Sequence, residues 1–467
     1  MVASRIAAGL ILAILLYTAL PGTFLFDDYS LFGEAPSVAP WLQPRPLTYL
    51  TFAMDKALWA QNATGFRFTN LLIHLAAVVM LYRVARRLFD EKISLAAASI
   101  FAIHPLTAEP VYYVFARSSS LSALLCFVAL EFWLRERRWM AVAAYAFALS
   151  AKEECAAFPV FLMLFGYGWR QIGVMTALTL AAGVRVVYST SVIAGAGSGF
   201  GQAVSPWEYF LAQGGALAGY AWRIVVPIQI SLDPAAPEAW WWVWCVVAAF
   251  AGYVVWKRPA LTHPLFWCLA AVVLILPSSS ILPAADAVAY RRMYFPMAAI
   301  AIAIATRIPS VVWPLIVLAA MQAAQWRTEQ TVWQNAHGLA PDKIRPYIQL
   351  ARTYPPREAL ALLEQAKEKE PRNAEVASHL GRVHLESGNA AQALSEFGRA
   401  LAIEPNQARH VQNRGVALLV LGQRDAAIAD FQRAVEREPC LTIARENLAK
   451  LGVPPRTTCI STNSNVR

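Results

Sequence analysis

The chain has 467 residues, of which 58% are hydrophobic and 15% are charged. With a mean hydropathy of +0.43, this composition argues against a purely soluble enzyme and is typical of an integral membrane protein. The formal net charge of +10 does not indicate nucleic-acid binding, because the basic residues lie in short clusters between apolar segments, as in cytoplasmic loops.

The chain begins with an apolar segment that leads to two adjacent carboxylates. Residues 6–20 are almost continuously apolar, Pro21-Gly22 ends the segment, and Asp27 and Asp28 follow. We interpret the segment as a membrane anchor rather than a cleaved signal peptide, because further apolar segments follow. Carboxylates cost about 3 kcal/mol each at the centre of a bilayer. The pair is therefore either a helix end in water or part of a functional site.

Ten further apolar segments follow. With the N-terminus in the cytoplasm, the basic clusters at 83–92 and 135–138 fall inside and Lys152 falls outside with the Asp pair, in agreement with the positive-inside rule. Residues 207–230 are then interpreted as re-entrant or as lying on the outer surface. The sequence predicts an all-α polytopic membrane helix bundle of about 11 spans over residues 1–326. The ten segments are 69–81, 93–106, 120–134, 139–149, 158–167, 172–188, 240–256, 265–282, 289–304 and 311–324.

The last part of the chain changes to charged helical repeats with a fixed period. Ala359, Ala393 and Ala427 are 34 residues apart, and aromatic, glycine and proline positions recur at the same interval. Small residues where paired helices touch, an aromatic residue in each unit and a closing proline are typical of tetratricopeptide repeats. We predict an α-solenoid of three units and a capping helix over residues 340–452, followed by a disordered tail over residues 453–467.

Several polar residues fall on the same predicted membrane surface as the Asp pair. Each of them alone is typical of an ordinary helix end, but acids, bases and cations gathered at one membrane face indicate a site for a charged, lipid-linked substrate. These residues are His74, His104, Glu109, Arg117, Lys152, Glu153, Arg291, Arg292 and Tyr294. Six cysteines show no metal-type spacing, and whether Cys440 and Cys459 pair is left open.

The order of several short motifs adds a family resemblance. The motifs are Phe26-Asp-Asp28, Arg45-Pro-Leu47, Phe101-Ala-Ile-His-Pro105 with Glu109-Pro-Val111, Ser150-Ala-Lys-Glu153 and Tyr294-Phe-Pro296. With the repeats behind them, they resemble the membrane and tetratricopeptide-repeat O-mannosyltransferases (TMTC proteins), of the GT-C class. The chain departs from the family at Arg67, which is often His, and at Tyr290, which is usually Glu. The second departure removes the expected acidic partner of Arg291 and Arg292.

The resemblance implies an inverting transfer of a sugar from a polyprenyl-phosphate donor to an acceptor hydroxyl. Asp27 or Asp28 would act as the general base. Cations would stabilise the phosphate leaving group, and the remaining polar residues would bind substrate. His104 and Glu109 would position a substrate or bond to each other. The candidate cations are Arg117, Lys152, Arg291, Arg292 and, with less support, Arg223. We predict no cofactor and no metal.

The alternatives to a glycosyltransferase are a non-enzymatic membrane scaffold that recruits partners through the repeats and a transporter for a lipid-linked sugar. A scaffold leaves the polar cluster without a role, and transporters usually carry their charges near the midplane of the membrane. We expect the repeats to recruit an acceptor protein at the outer face. That face is the periplasm if the chain is bacterial, which its compactness favours, or the ER lumen otherwise. The sugar, mannose or another hexose, is left open.

Overall fold

The computed structural model describes residues 17, 22–32, 43–188, 205–279, 281, 283–284 and 286–459. This part of the chain consists of 21 α-helices, short 3-10 helices and connecting loops, and it contains no strand. One compact unit ends at Val332 and a second begins at Trp333. The first predicted apolar segment, residues 6–20, lies outside the described residues apart from Tyr17.

The described part of the first unit holds thirteen helices and the start of a fourteenth. In chain order they are α1 Pro46–Trp59, α2 Ala63–Ala85, α3 Glu91–Ile103, α4 Glu109–Tyr112, α5 Arg117–Leu134, α6 Arg138–Ala151, α7 Phe158–Met163, α8 Trp169–Tyr188, α9 Pro206–Val225, α10 Trp242–Lys257, α11 Pro264–Ile275, α12 Tyr294–Ala305, α13 Val312–Gln325 and α14 Glu329–Leu339.

Three helical stretches in the described part of this unit are long and apolar enough to cross a membrane. They are α2, the stretch Val114–Leu134 that contains α5, and α8. The apolar helices α10 and α11 and the stretch Pro309–Gln325 are shorter. The predicted segment 158–167 forms only the six-residue helix α7. The full number of spans inferred from the sequence stays a prediction.

Small side chains allow the helices of this bundle to pack closely. Ala96, Ala97 and Ala98 are buried in α3, which packs against α2 and α12. Close approach of helix backbones through small residues is a common way to build membrane helix contacts. The 3-10 helix Pro105–Thr107 after α3 contacts the 3-10 helix Tyr290–Met293 before α12. The packing therefore brings together connections that are far apart in the sequence.

The second unit contains paired helices with the predicted period. Its helices after α14 are α15 Ile344–Ala351, α16 Pro356–Lys369, α17 Ala374–Glu386, α18 Ala390–Ile403, α19 Ala408–Val420, α20 Arg424–Arg437 and α21 Thr442–Lys450. A Cβ on Gly381 would lie 2.6 Å from the Phe397 ring, and a Cβ on Gly415 would lie 2.8 Å from the Phe431 ring. The same glycine–aromatic contact thus recurs in successive units, which explains why the sequence keeps both residues at this interval. The predicted tetratricopeptide solenoid is confirmed.

The chain after α21 packs back on the last repeat. Cys440 and Cys459 form a disulfide with a Cα–Cα distance of 4.8 Å. The hydroxyl of Thr457 donates to the carbonyl of Val435 at 2.8 Å. The described part of the predicted disordered tail, residues 453–459, is therefore held against the repeats, because the disulfide and this bond tie it down. Residues 460–467 lie outside the described part.

Candidate active site

A polar cavity of about 360 Å³ lies in the first unit, where several connections meet. It is lined by the charged residues Asp27, Arg45, Lys152, Glu153, Glu154, Asp286, Arg291 and Arg292, and also by Tyr113, Ser118 and Ser278. Five of the residues predicted from the sequence line it, namely Asp27, Lys152, Glu153, Arg291 and Arg292. The structure thus brings together residues from four separate connections of the chain.

The 3-10 helix Phe26–Phe32 sends the two adjacent carboxylates to different environments. Asp28 is fully buried. Its Oδ2 accepts the backbone N–H of Leu25 at 3.0 Å and its Oδ1 accepts that of Phe115 at 2.8 Å. Burial raises the pKa of Asp28 to about 7, although the nearby Arg67 and these N–H groups oppose the shift. Since both of its oxygens are occupied by backbone donors, Asp28 holds the connection in place.

Asp27, in contrast, is exposed and lines the cavity. The hydroxyl of Tyr113 hydrogen-bonds to its carboxylate. Burial and the two neighbouring aspartates raise the pKa of Tyr113, so this phenol stays a neutral donor at physiological pH. An accessible carboxylate oriented by a fixed donor meets the geometric requirement for a general base.

Most of the cations in the cavity are matched by carboxylates. The Nε of Arg45 donates to Oε2 of Glu153 at 3.0 Å, and Nζ of Lys152 lies 2.7 Å from a carboxylate oxygen of Glu154. Burial lowers the pKa of Lys152 to about 8. Arg45 lowers the pKa of Glu153 to about 2 against the effect of burial. The positive and negative charges of these groups therefore largely cancel on this side of the cavity.

Arg291 is matched twice. Its Nη1 lies 3.0 Å from Oε1 of Glu109 and its Nη2 lies 2.9 Å from Oδ2 of Asp286. The backbone N–H of Arg291 also donates to Oε2 of Glu109 at 3.0 Å. The pKa of Glu109 is raised by burial, and the contact with Arg291 opposes this shift. Glu109 therefore bonds to Arg291 and not to His104, which was the alternative left open by the sequence.

Arg292 is the exception among these cations. Its guanidinium donates to the carbonyl oxygens of Ala287 and Asp286 and approaches the Tyr209 hydroxyl. Arg292 is only 7% exposed, and these acceptors are neutral oxygens that do not cancel its charge. Within the described residues no carboxylate forms an ion pair with Arg292, although the charge of Glu154 acts on it from a distance. A buried guanidinium of this kind is suited to an anionic ligand such as a phosphate.

Three predicted site residues lie behind the cavity and do not line it. The Nδ1 of His74 is 2.7 Å from the hydroxyl of Tyr294, and its Nε2 is 3.0 Å from the carbonyl of Ala102. The Nδ1 of His104 accepts the N–H of Leu106 at 3.2 Å. The His74 contacts join helices of the bundle, and the His104 contact caps the 3-10 helix Pro105–Thr107. The structure thus gives His74, His104 and Tyr294 a packing role.

Arg117, another predicted site residue, is also turned inward. Its Nη2 donates to Oδ2 of Asp55 and to the carbonyl of Phe66, and its Nε donates to Oδ1 of Asn70. Its guanidinium carbon lies 4.5 Å from the centre of the Phe52 ring. A cation bound this fully joins α1, α2 and α5, and it does not line the cavity. The predicted cation Arg223 likewise does not line the cavity and stacks on Tyr290.

Comparisons with known proteins identify related chains. A family described as tetratricopeptide repeat matches residues 356–419. Human protein O-mannosyl-transferase TMTC3 is 27% identical over 117 residues, which are 24% of this chain and 13% of that protein. Drosophila melanogaster protein O-mannosyl-transferase Tmtc2 is 36% identical over 98 residues, which are 20% of this chain and 10% of that protein. The chain is TMTC-like.

The alignments span about a tenth of the length of these relatives, 13% of the human protein and 10% of the fly protein. A solved structure, the crystal structure of MamA protein, also matches the TMTC-like chain. Its sequence identity is 22% and its TM-score is 0.22, and the match covers 26% of this chain and 65% of that chain.

Three charged residues and one tyrosine that line the cavity are absent from the set predicted from the sequence. They are Arg45, Tyr113, Glu154 and Asp286. Position 290 is a tyrosine and provides no acidic partner for Arg291. Asp286 and Glu109 supply that partner instead. Asp286 lies five residues before Arg291 in the same connection, and this short spacing could have indicated from the sequence that the two residues pair. Among the described residues no group of three or more His, Cys, Asp or Glu could hold a metal ion, and metal independence stays a prediction.

Proposed function

We propose that this chain is an integral membrane glycosyltransferase of the GT-C type. It transfers a sugar from a polyprenyl-phosphate donor to a hydroxyl of an acceptor protein, with inversion, at the outer face of the membrane. The observation that carries this proposal is the polar cavity, which combines the exposed carboxylate of Asp27 with the buried guanidinium of Arg292, whose hydrogen bonds go to neutral oxygens. The names of the relatives favour mannose as the sugar and a protein as the acceptor.

An adjacent apolar cavity supports a lipid-linked donor. It has a volume of about 300 Å³ and is lined by side chains of α9, α10, α11 and α12 and of the connections beside them. Its lining residues Leu276 and Met293 are the sequence neighbours of Pro277 and Arg292 in the polar cavity. A polyprenyl phosphate has a charged head next to a hydrocarbon chain, so the two cavities match the two halves of such a molecule.

The reaction follows from this arrangement. The carboxylate of Asp27 takes the proton of the acceptor hydroxyl while the hydroxyl oxygen attacks the anomeric carbon of the sugar. The bond between that carbon and the phosphate oxygen breaks, and its electron pair stays on the phosphate. Arg292, assisted by the ammonium of Lys152, stabilises the charge that develops on the phosphate. Attack opposite to the leaving group inverts the anomeric configuration.

The disulfide supports the proposed location of the repeats. Disulfides such as Cys440–Cys459 persist in the periplasm and the ER lumen and are rare in the cytosol. A solenoid at the outer face would lie on the membrane side where the predicted orientation puts the Asp pair. The scaffold alternative explains the repeats alone and gives the charged cavity no role.

We expect purified full-length protein in detergent to release sugar from a polyprenyl-phosphate mannose and not from mannose 1-phosphate. The reason is that the apolar cavity contributes binding only when a hydrocarbon chain is attached. Product formation is measured by mass spectrometry with a Ser/Thr-rich peptide as acceptor. If no polyprenyl-phosphate hexose in a panel is consumed, the scaffold alternative takes precedence.

We also expect removal of residues 340–467 to separate the two substrates. The truncated protein should keep donor turnover with a short hydroxyl acceptor and lose modification of a folded acceptor protein, because only the latter would need the repeats. Both activities are measured against the full-length protein in the same detergent. Equal loss of both activities would contradict a recruiting role for the repeats.

A further inference from the structure

A second polar pocket lies in the repeat unit. It has a volume of about 290 Å³ and opens between α15, α17 and α19, the first helices of successive helix pairs. Helices in this position line the concave surface of a tetratricopeptide solenoid, where extended chains bind. The polar residues of the pocket are Gln349, Glu375, Ser378, His379, Arg382, Glu404, Gln407, Arg409, His410 and Asn413.

The pocket holds a buried histidine with unused hydrogen-bonding capacity. His410 is 6% exposed, and neither of its ring nitrogens has a hydrogen-bond partner in the part of the chain that the structure describes. A carboxylate oxygen of Glu404 lies 3.4 Å from its Nε2. Buried polar groups in folded proteins are nearly always satisfied, so an imidazole in a pocket wall whose ring nitrogens make no hydrogen bond to the protein is available to a ligand.

The other histidine of the pocket lies in a positive electrostatic environment. Burial lowers the pKa of His379 to about 4, and the neighbouring Arg382, Arg352 and His410 add to the shift. Such an environment favours a carboxylate ligand, which would also favour protonation of the His379 imidazole. The charged and titratable groups around the pair are Arg352 from the end of α15, Glu375 and Arg382 from α17, Glu386 bonded to Arg382, Glu404 before α19, and Arg409 on α19.

We propose that this pocket binds a carboxylate of an extended acceptor polypeptide between His379, Arg382 and His410. The carboxylate accepts a charge-assisted hydrogen bond from Arg382 and a hydrogen bond from a ring N–H of His410. The repeats therefore select acceptors that carry acidic residues near the modified segment. The inference rests on the proposed function only in naming the bound polypeptide as the acceptor.

Proton uptake follows from this geometry. In the free pocket His379 is neutral at physiological pH, because its pKa is about 4. A bound carboxylate raises the pKa of His379, so binding takes up a proton and the affinity increases as the pH falls. The arginines stay charged throughout this range and supply the part of the affinity that does not depend on pH.

The test uses full-length protein in detergent and fluorescence anisotropy with defined peptides. The probe is a fluorescein-labelled Ser/Thr-rich peptide with a central pair of glutamates and an amidated end. The comparison peptides carry glutamines instead, or glutamines with a free terminal carboxylate. We expect the acidic peptide to bind about tenfold tighter than the amidated glutamine peptide, with a preference that grows from about pH 8 to about pH 6. If only the peptide with the free terminal carboxylate binds tightly, the pocket recognises chain ends and not acidic side chains, which would contradict the proposal.

Matched variants connect the preference to the pocket. Arg382→Gln should reduce the preference at every pH, and His379→Gln should remove its pH dependence. Arg357→Gln removes the same charge from an exposed position on α16 that does not line the pocket, and it should bind as wild type does. Equal binding of the glutamate and glutamine peptides, or an unchanged preference in both pocket variants, would overturn the proposal. Donor turnover with a short hydroxyl acceptor, measured on the same samples, separates failure of this pocket from failure of the proposed function.

Discussion

Replacing Asp27 by Asn is expected to reduce sugar transfer by about 10²–10⁴-fold, the usual contribution of a general base. Asn cannot accept the proton of the attacking hydroxyl, yet it keeps the shape of the side chain and an oxygen for the Tyr113 hydroxyl. Because Asp27 is exposed, the thermal unfolding temperature should stay close to that of wild type. Both quantities are measured on the same preparation, with product formation followed by mass spectrometry.

Asp28→Asn is the matched control, and we expect it to lower the stability of the protein rather than to remove a catalytic group. The new amide nitrogen would face one of two backbone N–H donors that now point at carboxylate oxygens. An unsatisfied buried polar group costs about 1–3 kcal/mol, so this variant should unfold at a lower temperature and lose activity through instability. Loss of turnover in Asp28→Asn without destabilisation, together with an active Asp27→Asn, would exchange the two assignments.

The contrast between these neighbours shows where sequence reasoning stops. Two adjacent carboxylates after an apolar segment left both a helix end and a site residue open, and only the polar residues further along the chain favoured the site. Which of the two faces the cavity depends on the 3-10 turn and on the backbone N–H of Phe115, which is 87 residues away in the sequence. Composition and spacing carry no signal for that contact.

The repeat unit was the most predictable part of the fold. Its period is imposed by packing between neighbouring units, since a side chain on Gly381 would clash with Phe397. The same contact at Gly415 and Phe431 makes the constraint visible as a repeated pattern in one sequence. The bundle has no such repetition, so its helices were predicted one by one and their partners were not predicted at all.

Several polar residues of the bundle were predicted as site residues but do not line the cavity. Arg117 and His74 lie at positions where a charged or polar side chain would be costly without a partner, which marked them as site residues. Distant groups satisfy them instead, Asp55 for Arg117 and Tyr294 for His74. A sequence shows that such a residue needs a partner, but it does not show whether the partner is a ligand or the protein itself.

Replacing Arg292 by Gln is expected to lower kcat by about 10²–10³-fold, because the phosphate would lose a preorganised donor as its charge develops. The neutral acceptors of Arg292, two backbone carbonyls and the Tyr209 hydroxyl, can be kept in part by the Gln amide. The fold should therefore persist, and the loss should be greater for kcat than for the KM of the donor. Steady-state rates at several donor concentrations measure this difference.

The neighbouring Arg291 provides the control, since Arg291→Gln leaves Glu109 buried without its cation. Breaking a buried ion pair in this way typically costs about 3–5 kcal/mol, so this variant should lose stability rather than catalytic chemistry.

The pH dependence of turnover tests the same site independently. The pKa of Lys152 is lowered to about 8, so its ammonium is present below that pH and is lost above it. Wild-type turnover should therefore fall as the pH rises through about 8, and Lys152→Arg should move that fall to higher pH.

The two arginine variants can also contradict the assignment of the phosphate to Arg292. If Arg292→Gln keeps the wild-type kcat while Arg291→Gln folds normally and loses activity, the phosphate binds Arg291. The ion pairs of Arg291 with Glu109 and Asp286 must then open on binding.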